Sequence, residues 1–125
     1  MKILLAEDDA DQLSLRCMLL ARSGFETMAA ADASSAMKLA AAHKFDCAVV
    51  DLRLPTEELG LRLIRELKSL DPAMHLLVLT GGDAIRLRKI PEMQLIDGIV
   101  TKGCSSAALV QKLNAFSACP PSARS

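Results

Sequence analysis

Each of four short apolar runs in this chain ends on side chains that could do chemistry. Residues 3–6 lead into Glu7 and Asp8, residues 47–50 into Asp51, residues 76–79 into Thr80, and residues 99–100 into Thr101 and Lys102. Three carboxylates, a hydroxyl and an ammonium make a specific set. Oxygen-only donors suit a hard divalent ion, and Mg2+ takes one or two carboxylates, several waters and a phosphate. Carboxylates crowded together repel one another unless a cation is present. A lysine supplies a compact positive charge for a phosphoryl oxygen. The chemistry on offer is Mg2+-assisted phosphoryl transfer to a carboxylate, giving an acyl phosphate.

That chemistry requires distant segments to meet, and the hydropathy pattern says how. Apolar runs at 3–6, 26–29, 47–50, 76–79 and 95–100 read as strands, the second of them weak. Between and after them lie helical patterns at 9–22, 32–43, 57–70, 83–90 and 104–116. The first carries Leu13, Cys17 and Leu20 at helical spacing and stops at Gly24; Asp9 and Asp32 are expected N-caps. The third stops at Asp71-Pro72 and the fourth at Pro91. This (βα)5 alternation predicts an α/β fold: a doubly wound, mostly parallel five-stranded sheet with helices on both faces. In such a sheet the carboxyl ends of the strands share one edge, where ligands bind. The second strand ends without a comparable polar group, as expected of an edge strand.

Composition narrows the function. The 125 residues are one domain's worth of chain, 51% hydrophobic and 24% charged, with fifteen Lys and Arg against fifteen Asp and Glu. Zero net charge argues against a nucleic-acid module. Three Phe with no Trp or Tyr argue against base-stacking or flavin-stacking surfaces. Cys17, Cys47, Cys104 and Cys119 form no C-x-x-C pair, so zinc and redox motifs are not indicated and reduced thiols are expected. No apolar run reaches membrane-spanning length, and the start is too short for a signal-peptide core, which makes the cytoplasm the expected location. Residues 1–117 are expected to form the domain, with 118–125, including Pro120-Pro121, a tail or the start of a linker.

The stretches ILLAEDD, VVDLRLP, GLRLIRELK, LLVLTGG and VTK are each weak signals. In this order the chain resembles the receiver domains of two-component response regulators, over about residues 2–116. The resemblance implies a flavodoxin-like sheet of strand order 2-1-3-4-5. It implies Asp51 as phosphoacceptor, Asp8 as direct Mg2+ ligand, Glu7 as its acidic neighbour acting through water, and the Arg53 backbone carbonyl completing the metal shell. Thr80 is implied as the switch hydroxyl, Lys102 as the cationic clamp, and Gly81 as the small residue leaving the phosphoryl group room. The partners implied are a sensor histidine kinase or phosphotransfer protein and a downstream protein or covalently linked output domain; a homodimer stays open, while direct nucleic-acid or membrane contact is not expected.

Three departures from the family pattern stand out. Gly103 follows Lys102 where the family usually has a cis-linked proline; a cis non-proline bond costs about 3–4 kcal/mol, so trans is favoured. Ile99 occupies the switch position that is commonly Tyr or Phe, and an aliphatic side chain has neither ring nor hydroxyl to swing inward. Pro55 and Gly60 enclose four residues, one more than usual, which reshapes the loop beside Asp51. Arg53 is expected either to reach over Asp51 or to pair with Glu57 or Glu58. His43 and His75 read as isolated surface histidines, Met74 and Met93 as packing, and Arg86, Arg88 and Lys89 as a solvated basic face. Two functions follow: a phosphorylated signalling switch that turns over no metabolite and so is no enzyme, or a pseudo-receiver that binds partners without phosphorylation. A hydrolase is disfavoured because Asp51-Leu52-Arg53 lacks a second Asp.

Overall fold

Runs as apolar as Val49–Val50 and Leu76–Leu79 need cover on both faces. In the computed structural model, which describes residues 1–54, 56–81, 84–101 and 106–118, they receive it. The strands are β1 (Lys2–Ala6), β2 (Glu26–Ala30), β3 (Cys47–Asp51), β4 (His75–Thr80) and β5 (Gly98–Thr101). The helices are α1 (Ala10–Arg22), α2 (Ala33–Ala42), α3 (Glu57–Leu70), α4 (Ala84–Leu87) and α5 (Ser106–Ala118). The strands form one parallel sheet in the order β2-β1-β3-β4-β5. Every residue of β3 and β4 is buried.

The period-two alternation of the strands sorts the core into two layers. Leu4, Ala48, Val50, Leu76 and Val78 face one way, packing with Ala36, Leu63, Ile64, Leu67 and Leu87 from α2, α3 and α4. Ile3, Leu5, Cys47, Val49, Leu77 and Leu79 face the other, packing with Leu20 of α1 and Leu109 and Leu113 of α5. The expected caps form: Asp9 Oδ1 accepts from the backbone N–H groups of Asp11 and Gln12, and Asp32 Oδ1 from Ser35. Gly24, beyond the end of α1, has φ +90°, the left-handed conformation that ends helices.

Two expectations fail at the amino edge of the sheet, opposite the polar strand ends. β5 begins at Gly98 rather than at residue 95, because Pro91–Leu95 winds into a 3-10 turn. Proline is well placed at that turn's first position, where an N–H would go unpaired. Asp97 then works as a polar clasp at the foot of the strand: its Oδ2 accepts the Leu76 N–H at 2.8 Å, and its own N–H donates to Leu76 O at 2.8 Å. His75 is not a surface histidine. It is 6% exposed, its Nδ1 lies 3.5 Å from Asp97 Oδ2, and its ring stacks on Phe116 of α5 with centroids 4.3 Å apart. His43 is exposed, as expected, and ends α2. Asp97→Ala leaves the Leu76 N–H without its partner and should cost about 1–3 kcal/mol in urea denaturation; a loss under about 0.5 kcal/mol, the size of an ordinary surface effect, would mean water replaces the carboxylate.

Burial pushes the Cys47 thiol far above its usual range, reinforced by the nearby Asp97 and Asp46 charges. Cys17 is raised in the same direction by burial. Both are free thiols, and the upward shift lowers the thiolate fraction of each. Cys104 and Cys119 lie outside the described residues. Among the described residues no helix is long and apolar enough to cross a membrane.

Candidate functional site

The carboxyl edge of the sheet gathers the acids. Glu7 follows β1 and is fully buried, its N–H donating to Ala30 O of the edge strand at 3.0 Å. Asp8 is exposed, and Asp51, the last residue of β3, is 3% exposed. Each of the three offers a carboxylate oxygen, and these oxygens lie within 4.8 Å of one another. Hard oxygen donors at this spacing fit a divalent cation such as Mg2+, which would also relieve their mutual repulsion.

Beside this cluster is a cavity of about 250 Å³ lined by Asp51, Leu52, Arg53, Glu57, Thr80, Gly81 and Arg86. The Arg53 N–H donates to Asp51 Oδ1 at 3.1 Å, which fixes the carboxylate on the turn that leaves the strand. Thr80 closes β4 and is 5% exposed. A Cβ built on Gly81 meets no atom within 4 Å, so the space above the cavity is open. Ile99 sits in β5 beside Val78 and packs, half-buried, on the α2–α3 core. Lys102 and Gly103 lie outside the described residues.

The sequence profile of the response regulator receiver domain matches residues 3–114. This chain belongs to that family. Among its relatives is the probable transcriptional regulatory protein TcrX of Mycobacterium tuberculosis, 31% identical over 114 residues that cover 91% of this chain and 48% of TcrX. The receiver domain therefore spans about half the length of that regulator. Among solved structures, the CheY-like receiver domain protein of Methanospirillum hungatei superposes with a TM-score of 0.82 at 23% identity, covering 91% of this chain and 90% of that one. The response regulator TrrA of Thermotoga maritima, solved in complex with Mg2+ and BeF, gives 0.83 at 21% identity, with coverages of 92% and 97%. Receiver domains are signalling domains, and both structural likenesses place this chain on the family's fold.

Two arginines of this receiver domain were not legible as site residues. Arg16 of α1 donates from Nη1 to Glu7 Oε2 at 2.7 Å. Its signal was present in the sequence: Arg16 falls between Leu13 and Leu20 on the apolar stripe of α1, where a charge needs a buried partner. Arg86 of α4 grips Glu57 at the start of α3 with two guanidinium nitrogens, at 2.6 and 3.4 Å. No local pattern announces that pair, which spans 29 residues. Glu57 is thus hydrogen-bonded by Arg86, while Arg53 lines the cavity that Asp51 also lines. The Arg86 hydrogen bond holds the Glu57 carboxyl below its usual range, with Arg53 adding to the effect. Among the described residues the cavity rim thus carries Arg53 and Arg86, the latter paired with Glu57.

Proposed function

We propose that this receiver domain is a phosphorylated switch in which Asp51 accepts a phosphoryl group from the phosphohistidine of a sensor histidine kinase or phosphotransfer protein. The observation that carries this reading is the convergence of Glu7, Asp8 and Asp51 oxygens within 4.8 Å, with Asp51 also lining a cavity together with Thr80. Asp8, Asp51 and the Arg53 backbone carbonyl would hold Mg2+ directly, with Glu7 acting through water. When bound, the cation neutralises charge on the transferring phosphoryl oxygens and aligns them with the acceptor.

The chain's own part is to place the acceptor. An oxygen of Asp51 attacks phosphorus, the P–N bond to the donor imidazole breaks, and the imidazole leaves with its electron pair and takes up a proton. The Arg53 N–H bond to Asp51 Oδ1 holds the carboxylate on the cavity wall, where the donor would reach it. Thr80 then donates its hydroxyl to a phosphoryl oxygen, and Lys102 clamps another. Ile99, with no ring, transmits this closure through packing alone. The domain would catalyse only its own phosphorylation and dephosphorylation, in the cytoplasm. Its output is a downstream protein or a linked output domain, consistent with the greater length of TcrX.

Incubation with acetyl phosphate and MgCl2 should add one phosphoryl group, about 80 Da, on Asp51 in intact-mass and peptide mass spectrometry. An unmodified chain with bound Mg2+ would instead favour the pseudo-receiver, an interaction module on the same fold.

A further inference from the structure

The Glu7–Arg16 pair is a feature that neither holding a cation nor accepting phosphate requires. Both oxygens of the fully buried Glu7 are bonded, Oε2 to Arg16 Nη1 at 2.7 Å and Oε1 to the Asp9 N–H at 3.2 Å. Arg16 is itself 13% exposed. An arginine keeps its proton throughout the range in which proteins fold, so this positive charge is permanent. It is anchored on one of the three carboxylates whose oxygens lie within 4.8 Å of one another.

We propose that Arg16 is a resident counter-cation of the acid cluster, which keeps the metal-free cluster assembled and weakens Mg2+ binding. The inference rests on the reading of that cluster as a Mg2+ site. A single positive charge a few ångströms beyond the ligands of a divalent ion, screened as in water, lowers affinity on the order of tenfold. Arg16 therefore raises the Mg2+ concentration at which the domain becomes competent for phosphorylation.

The sign of the effect separates this role from a structural one. With no Trp or Tyr in the chain, calorimetric MgCl2 titration is the direct measurement. Arg16→Gln is expected to bind Mg2+ about tenfold tighter than wild type, and MgCl2 should raise its melting temperature by more. A merely structural tie predicts the reverse, because loosening Glu7 would degrade the cluster. The same comparison is made between Glu7→Gln and Glu7→Gln/Arg16→Gln, where no buried carboxylate is left without its arginine. There too the loss of Arg16 should tighten binding about tenfold. Unchanged or weaker binding on removing Arg16 in either background overturns the proposal while leaving the function intact. Failure of the wild type to bind Mg2+ overturns both.

Discussion

Asp51→Asn is expected to abolish phosphorylation by acetyl phosphate, by at least about 10³-fold, while leaving the fold in place. The amide matches the carboxylate in shape, and its Oδ1 still accepts the Arg53 N–H that shapes the turn after β3. It lacks the charge and nucleophilicity to attack phosphorus. Removing one of three neighbouring negative charges also relieves repulsion within the cluster, so the metal-free variant should melt at or above the wild-type temperature. Mg2+ affinity should fall about tenfold or more, since a unit charge close to a divalent ion is lost. Intact-mass spectrometry and thermal melts read these outcomes separately. A variant that still gained one phosphoryl group would put the acceptor elsewhere, with Asp8, the exposed carboxylate of the cluster, the first to test. A variant that unfolded would make Asp51 a structural acid.

The contrast between what the sequence reveals and what it conceals has a physical basis. Asp51 and Thr80 were legible because strand ends share one edge of a parallel sheet, a consequence of topology that needs no side-chain detail. The helix starts at Ala10 and Ala33 were legible from Asp9 and Asp32, short polar side chains that cap orphan N–H groups. Contacts fixed only by tertiary packing were not. Nothing near His75 in sequence predicts its stacking on Phe116, some forty residues away on the last helix. The start of β5 was misplaced because Leu95 and Ile96 extend the apolar run of the strand in sequence, while Leu95 closes the 3-10 turn Pro91–Leu95. Arg16 lies between these cases. Its position on the buried stripe of α1 was readable, but identifying Glu7 as its partner required the fold.

The link between scaffold and site is tightest at Gly60, where Gly60→Ala is expected to cost about 3 kcal/mol or more, roughly 10 °C in melting temperature. A Cβ built there would stand 1.9 Å from Leu52 O and 2.7 Å from Leu52 C. Both are backbone atoms, so no rotamer change relieves the overlap. Gly60 lies in the first turns of α3, whose N-cap Thr56 accepts the Leu59 N–H, and α3 is held to the sheet by the fully or almost fully buried Leu63, Ile64 and Leu67. The helix can retreat only by opening that core. Leu52 can retreat only by breaking its N–H bond to Leu79 O, which ties the loop to β4. Leu52 also adjoins Asp51, so the loop movement that accommodates a methyl group must displace the acceptor and the Arg53 N–H that orients it. Alanine's better helix propensity, worth about 1 kcal/mol over glycine, offsets only part of this. Gly60→Ala should therefore lose phosphorylation rate as well as stability, even well below its melting point. Denaturant melts and acetyl phosphate kinetics measure the two effects. Wild-type values in both would show that the extra residue between Pro55 and Gly60 gives the loop enough slack to absorb the clash.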